Sequence, residues 1–168
     1  VITEEAMRAA SERGLVFATD PTSSWACTIG GNIAENAGGK TAVLWGTAID
    51  NLLGYTIVMP DARVLHVRRR NHPLRKILPE DTVVFDVYDD RYSDHPVQEI
   101  RLAASEIRTP GLGKDITNKA LGGLPGVQKE GCDGIIVEAE FILYPRYSFK
   151  RTFCLEFFGE DMEEASRV

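Results

Sequence analysis

Three residues, Pro60-Asp61-Ala62, are all that separates two β-prone runs, 53–59 and 63–70. A gap that short, with turn-forming residues in it, makes the two runs antiparallel neighbours, because parallel strands need a crossover of about a dozen residues or more. A third run, 82–88, is β-branched and alternating, and the connection before it carries Pro73 and Pro79. A strong apolar run over 134–144 ends at Pro145, and a last one spans 152–158. The spacing therefore predicts an α+β fold in which these five runs share one antiparallel sheet flanked by helices. One helix is expected over 3–13, with Thr3 as its cap and Gly14 closing it. Another is expected over 97–107, where Val97, Ile100, Ala104 and Ile107 recur at helical spacing before Pro110-Gly111. An acidic helix over 160–168 completes the reading.

Composition narrows the function classes. The chain has 168 residues, of which 43% are hydrophobic and 26% charged, enough to bury a core without disulfides or a structural metal. A net charge of −6 argues against a nucleic-acid binder, which usually carries a basic face. No run of about 18 apolar residues offers a transmembrane helix, and no signal peptide is expected from the opening residues. Cys27, Cys132 and Cys154 lie far apart in no metal-ligand pattern, so a reducing, cytoplasmic setting is expected and no metal site. Because the sequence opens on Val1 and stops inside a helical pattern, it is expected to be a piece of a longer protein.

The densest feature is the run TIGGNIAENAGG, residues 28–39, with glycine at 30, 31, 38 and 39. Glycines let backbone approach a ligand, and a helix starting at Gly31 or Asn32 would aim free amides at an anion. Two tight turns around a buried helix explain the same spacing. Within this run AENAGGKT imitates a relaxed phosphate-binding loop, and TVVFD, ending at Asp86, imitates the strand that accompanies one. That chemistry needs a parallel βαβ unit. The preceding loop is polar, the following strands read as a meander, and Glu35 would oppose phosphate, so nucleotide hydrolysis is set aside. A second loop, VQKEGCDGIIVEA from 127 to 139, brings Gly131 and Gly134 to the start of an apolar strand.

These residues carry a resemblance. CTIGGNIAENAGG, followed by Trp45-Gly46, resembles the FAD-binding domain of the D-lactate dehydrogenase and glycolate oxidase flavin subunit family, within the vanillyl-alcohol oxidase/p-cresol methylhydroxylase superfamily. Trp45 stands where the family has tyrosine. Asp20-Pro21 matches a D-P pair, and Leu53-Gly54 with Val58-x-Pro60-Asp61 matches the family's L-G-x-x-x-V-x-P-D-G, Ala62 replacing the last glycine. The family's V-G-S-E-G-T-L-G-I-I-T-E-A aligns on Val127 to Ala139, with departures at Gln128, Lys129, Cys132, Asp133 and Val137.

The resemblance implies FAD as cofactor, held between two subdomains, of which this chain resembles the second. It implies that Pro21, Thr28, Gly30, Gly31, Asn32, Asn36 and Gly38 approach the flavin from one loop, and Gly134 and Ile135 from the other. Residues 1–150 would form this second subdomain, with 71–110 as an insertion, and 151–168 would begin a substrate-binding cap. The first subdomain and the substrate-handling histidines would lie elsewhere. The implied activity is oxidation of a 2-hydroxy acid, with the rest of its own chain and an electron acceptor as partners and a cytoplasmic location open to peripheral attachment at the inner membrane. The fragment alone is expected to be inactive. A binding module that kept the fold and lost the flavin is the alternative. The remaining features read as structural. Basic 63–76 and acidic 80–94 are expected to pair across a hairpin, His66, His72 and His95 to be surface residues, and Trp25 and Trp45 to pack.

Overall fold

The computed structural model describes residues 1–108 and 120–154, with 156, 158 and 163. Helix α1 (Thr3–Ser11) opens the chain and leads through Gly14, at φ 71°, into the short strand β1 (Leu15–Val16). Thr3 is not its cap. Ile2 occupies the cap position, its amide donating to Glu5 Oε2, while Thr3 is fully buried and donates its hydroxyl to the Cys27 carbonyl at 3.1 Å.

The central sheet contains β2 (Leu52–Val58), β3 (Val64–Arg70), β4 (Thr82–Tyr88), β5 (Gln98–Ala103) and β6 (Ile135–Phe141). Their order is β5-β4-β3-β2-β6, and every neighbouring pair is antiparallel. The α+β expectation holds. The phosphate-loop imitation has no parallel βαβ unit among the described residues, and Lys40 is exposed. A final strand, β7 (Tyr144–Pro145), pairs with β1, so the run expected over 134–144 is divided between two sheets.

Alternation sorts the faces. Tyr55, Ile57, Val67 and Phe85 are buried on the core side, while His66, Arg68 and Arg70 look the other way. Opposite charges do pair on that outer face: Arg70 bridges Asp86 and Glu99, and Arg101 meets Glu99 at 2.8 Å. Four short helices pack at the sheet's margins: α2 (Ile29–Ala34), α3 (Ala42–Trp45), α4 (Ala48–Asn51) and α5 (Ala104–Ile107).

The helix expected over 97–107 is instead strand β5 followed by the single turn α5. Ile100 and Leu102 are buried two apart, a period-two signal, and β4 offers register partners from Val87↔Gln98 to Thr82↔Ala103. Only Ala104 and Ile107 keep the helical spacing, and they form α5. Segment 71–110 thus supplies two of the five strands. Of the strand expected over 152–158, residues 152–154, 156 and 158 are described and lie outside any strand. The helix expected over 160–168 lies outside the described residues apart from Glu163.

Candidate cofactor site

The glycine run folds as a capped single-turn unit. Thr28 is exposed, and its Oγ1 accepts from the Gly31 amide at 3.1 Å, so α2 begins at Ile29, two residues earlier than the glycine pattern suggests. The amides of its first turn are largely used. Ile29 donates to the Val1 carbonyl at 3.1 Å and Asn32 to the Thr28 carbonyl at 2.9 Å. The Gly30 amide alone has no protein partner among the described residues, and Gly30 is half-buried.

The two glycines of α2 differ in what they face. A Cβ on Gly30 would come within 3.2 Å of the Ile136 carbonyl, so this glycine lets helix and strand β6 approach. A Cβ on Gly31 would meet only its own cap, Thr28 Oγ1, at 3.2 Å, and beyond that open space. No packing against the rest of the fold accounts for glycine there.

Asn32 and Asn36 turn inward. Asn32 is 2% exposed, and its Nδ2 donates to Thr3 Oγ1 at 2.8 Å, tying α2 to α1. Asn36 sits in the left-handed region at φ 51°, and its buried Oδ1 accepts from the Ile49 amide at 2.9 Å. Both side chains are occupied in holding the loop. Gly38 is half-buried in the extended stretch that follows. At the next residue a Cβ on Gly39 would overlap the Asp20 carbonyl at 2.0 Å, and the Asp20 carboxylate accepts from the Thr41 amide and hydroxyl at 3.1 and 2.8 Å. The Asp20-Pro21 pair is thereby pinned beside the end of the glycine run.

The second loop meets the first. The Gln128 amide donates to the Ile33 carbonyl at 3.1 Å and the Glu130 amide to the Ala34 carbonyl at 2.9 Å, so residues 128–130 close the far end of α2. Gln128 holds φ 55°, a conformation that suits the glycine found at this place in the family pattern. A Cβ on Gly134 would lie 2.7 Å from the Val58 carbonyl, which seats the loop on β2, and Ile135 then opens β6 with 70% of its surface exposed. Two segments a hundred residues apart in sequence form one structural unit. Its outer surface presents Thr28, Gly30 and Gly31, and Gly30 leads into an apolar cleft of about 550 Å³ between α1 and β6, lined by Ala10, Phe17, Ile29 and Phe141.

Other expected roles shift. Trp25 does not pack: it is 72% exposed on the loop that leads to Thr28. Trp45 does pack, stacked on Tyr144 with ring centroids 5.2 Å apart. His72 is not a free surface residue. Its Nε2 donates to the Asp50 carbonyl at 2.7 Å, and its Nδ1 accepts from the Leu74 amide at 2.8 Å. Burial and the nearby Arg69 guanidinium push its pKa down to about 4. On the outer sheet face lies a cluster the sequence reading missed. Thr56 Oγ1 meets His66 Nδ1 at 3.0 Å and Glu138 at 3.2 Å, and Arg91 pairs with Glu138. The strand alternation would have put Thr56 and His66 side by side. The register of β6, shifted between Thr56 and Ile57, was not readable.

Residues 1–68 match the family described as FAD binding domain. The glycolate oxidase subunit GlcD of Bacillus subtilis (strain 168) is 37% identical over 65 residues, 39% of this chain and 14% of that protein. GlcD of Escherichia coli (strain K12) is 41% identical over 58 residues, 34% of this chain and 12% of its own length. The D-lactate dehydrogenase of Anaerostipes hadrus is 35% identical over 65 residues, covering 39% and 14%. The aligned stretches thus span only about an eighth of these relatives. The antiparallel α+β fold and the glycine run agree with that match: residues 1–68 are similar to an FAD binding domain, and the cofactor this indicates is FAD. Within that class the aligned residues are similar to those of the glycolate oxidase subunit GlcD and D-lactate dehydrogenase. Among the described residues no helix is long and apolar enough to cross a membrane.

Proposed function

We propose that the chain forms one wall of the FAD site of an oxidoreductase acting on a 2-hydroxy acid. The observation that carries this reading is Gly31. Glycine costs a helix about 1 kcal/mol relative to alanine, yet a Cβ here would face open space beyond its own cap. A cofactor lying against this turn supplies the missing reason. The uncommitted Gly30 amide beside it offers a donor to the same ligand, and Thr28 offers the rim. Pro21, Gly38, Gly134 and Ile135 belong to the same wall. Asn32 and Asn36 act from behind it, because their side chains are spent on Thr3 and Ile49.

In this reading residues 1–150 are the second of two FAD subdomains, 71–110 is an insertion that completes the sheet, and 151–168 lead into a cap. The printed names of the relatives support the substrate class. FAD supplies the redox chemistry, taking up the two electrons released as a 2-hydroxy acid becomes a 2-oxo acid. The protein's share would be to hold the ring system with the turn at Thr28, Gly30 and Gly31, and an electron acceptor would be its further partner.

The test is a titration of FAD into the chain and into Gly31→Val, followed by flavin fluorescence. The parent chain should bind in the micromolar range, since half of the proposed site lies elsewhere and a loss of about 4 kcal/mol is a thousandfold in affinity. Gly31→Val should bind at least about tenfold more weakly, with the far-ultraviolet circular dichroism unchanged. Equal affinity in the two proteins would remove Gly31 from the site.

A further inference from the structure

The outer face of the sheet carries a second recess, of about 350 Å³, away from the glycine run. Its floor is Gly54 at the centre of three strands, directly opposite Arg68 on β3 and Glu140 on β6. Gly54 puts no side chain between these two residues, whose backbones lie two strands apart, roughly 10 Å at strand spacing. Both charges are available. Among the described residues Arg68 has no carboxylate partner: it lies over the Tyr88 ring, 5.1 Å from the centroid, and donates to the Arg91 carbonyl. Among the described residues the Glu140 side chain has no hydrogen-bond or ion-pair partner. One side of the recess is held shut by Arg91, which reaches from the β4–β5 connection to Glu138 across the sheet. The His66–Thr56 hydrogen bond lies beneath that bridge.

We propose that this recess binds a zwitterion, specifically a free α-amino acid, with its carboxylate on Arg68 and its ammonium on Glu140. An α-amino acid carries both charges on one carbon. A ligand seated over Gly54 therefore meets Glu140 on one side and, on the other, an Arg68 side chain turned from the Tyr88 ring and Arg91 carbonyl where its guanidinium now lies. Other small ligands fit the charges less well. A phosphate or dicarboxylate would face Glu138 and Glu140, and a divalent cation would face Arg68 and Arg91. The recess lies at the lower end of ordinary ligand-pocket sizes. His66 stays uncharged at neutral pH, its pKa lowered by burial and by Arg91 and Arg68, so it presents a hydrogen-bonding edge without disturbing the charge balance.

Calorimetric titration of the chain at pH 7.5 with each of the twenty proteinogenic L-amino acids tests the proposal. At least one should bind with a Kd below about 1 mM, and acetate and ethylamine, each bearing a single charge, should bind at least about tenfold more weakly. Arg68→Met and Glu140→Gln should each weaken binding by a similar factor at an unchanged urea midpoint, and Arg68→Lys should retain more affinity than Arg68→Met. Absence of heat with every amino acid at 10-fold above that Kd would overturn the proposal. Binding that survives both substitutions would overturn it equally.

Discussion

At the scale of single residues, the glycines of one motif do different jobs, and substitution should separate them. Gly39→Ala drives a methyl into the Asp20 backbone at 2.0 Å and should cost more than about 2 kcal/mol in urea unfolding. Gly31→Ala should change stability by less than about 0.5 kcal/mol, because the gain in helix propensity is offset by crowding of Thr28 Oγ1. A result in which both substitutions cost the same would mean that the two glycines serve packing alike. His72 makes a pH prediction. Its Nδ1 lone pair is engaged by Leu74, so the folded protein favours the neutral ring, with a pKa near 4 against 6.5 for an unperturbed histidine. The unfolded chain therefore takes up the proton first, and stability that is complete above 6.5 is lost as pH falls toward 4. With the ring half-exposed, the loss is on the order of 1–2 kcal/mol after solvent screening. The urea midpoint of His72→Asn should be flatter than the parent's between those two values. Sequence reading marked the Gly31 motif by its spacing, but it could not tell Gly31 from Gly39. That difference depends on what each Cβ would meet, which is a tertiary fact.

At the scale of elements, the wall around α2 is built by its neighbours. A six-residue helix does not persist alone in water. Ile33, fully buried, anchors α2 in the core, residues 128–130 satisfy its last carbonyls, and Asn32 ties it to α1. Ile33→Ala should cost about 3 kcal/mol and should also weaken FAD binding, since the turn carrying Gly30 and Gly31 loses its anchor. FAD binding equal to the parent's by a destabilised Ile33→Ala would show the turn to be held independently. The meander was legible because its connections were too short for any other topology. Strand β5 was not, because Val97, Ile100, Ala104 and Ile107 satisfy a helical count while Ile100 and Leu102 satisfy a strand count. The free edge of β4 decided between them, and no local pattern reports that edge. The family resemblance brings both loops to one cofactor, but their direct contact is a finding of the structure. The hydrogen bonds from Gln128 and Glu130 to α2 are backbone contacts that leave no mark on residue type.

At the scale of the whole molecule, the chain holds one hydrophobic core, and the cofactor wall proposed for it calls for a counterpart. Urea unfolding should be cooperative without FAD. Mixed with FAD and D-lactate or glycolate, the chain alone should reduce no dye. Hydroxy-acid-dependent reduction by these 168 residues would mean that they contain the whole catalytic apparatus. The order of strands has a further consequence for how the molecule is made. Strands β2 to β5 follow one another as neighbours, so that meander can assemble as it leaves the ribosome. The other edge of β2 waits for β6, which begins at Ile135. Pulse-labelled hydrogen exchange during refolding should protect the β3–β4 amides before those shared by β2 and β6. The same late strand packs under Gly30, and the loop before it closes α2. A nascent chain arrested before that strand emerges would therefore carry the motif proposed to meet the cofactor and still have nowhere to put it.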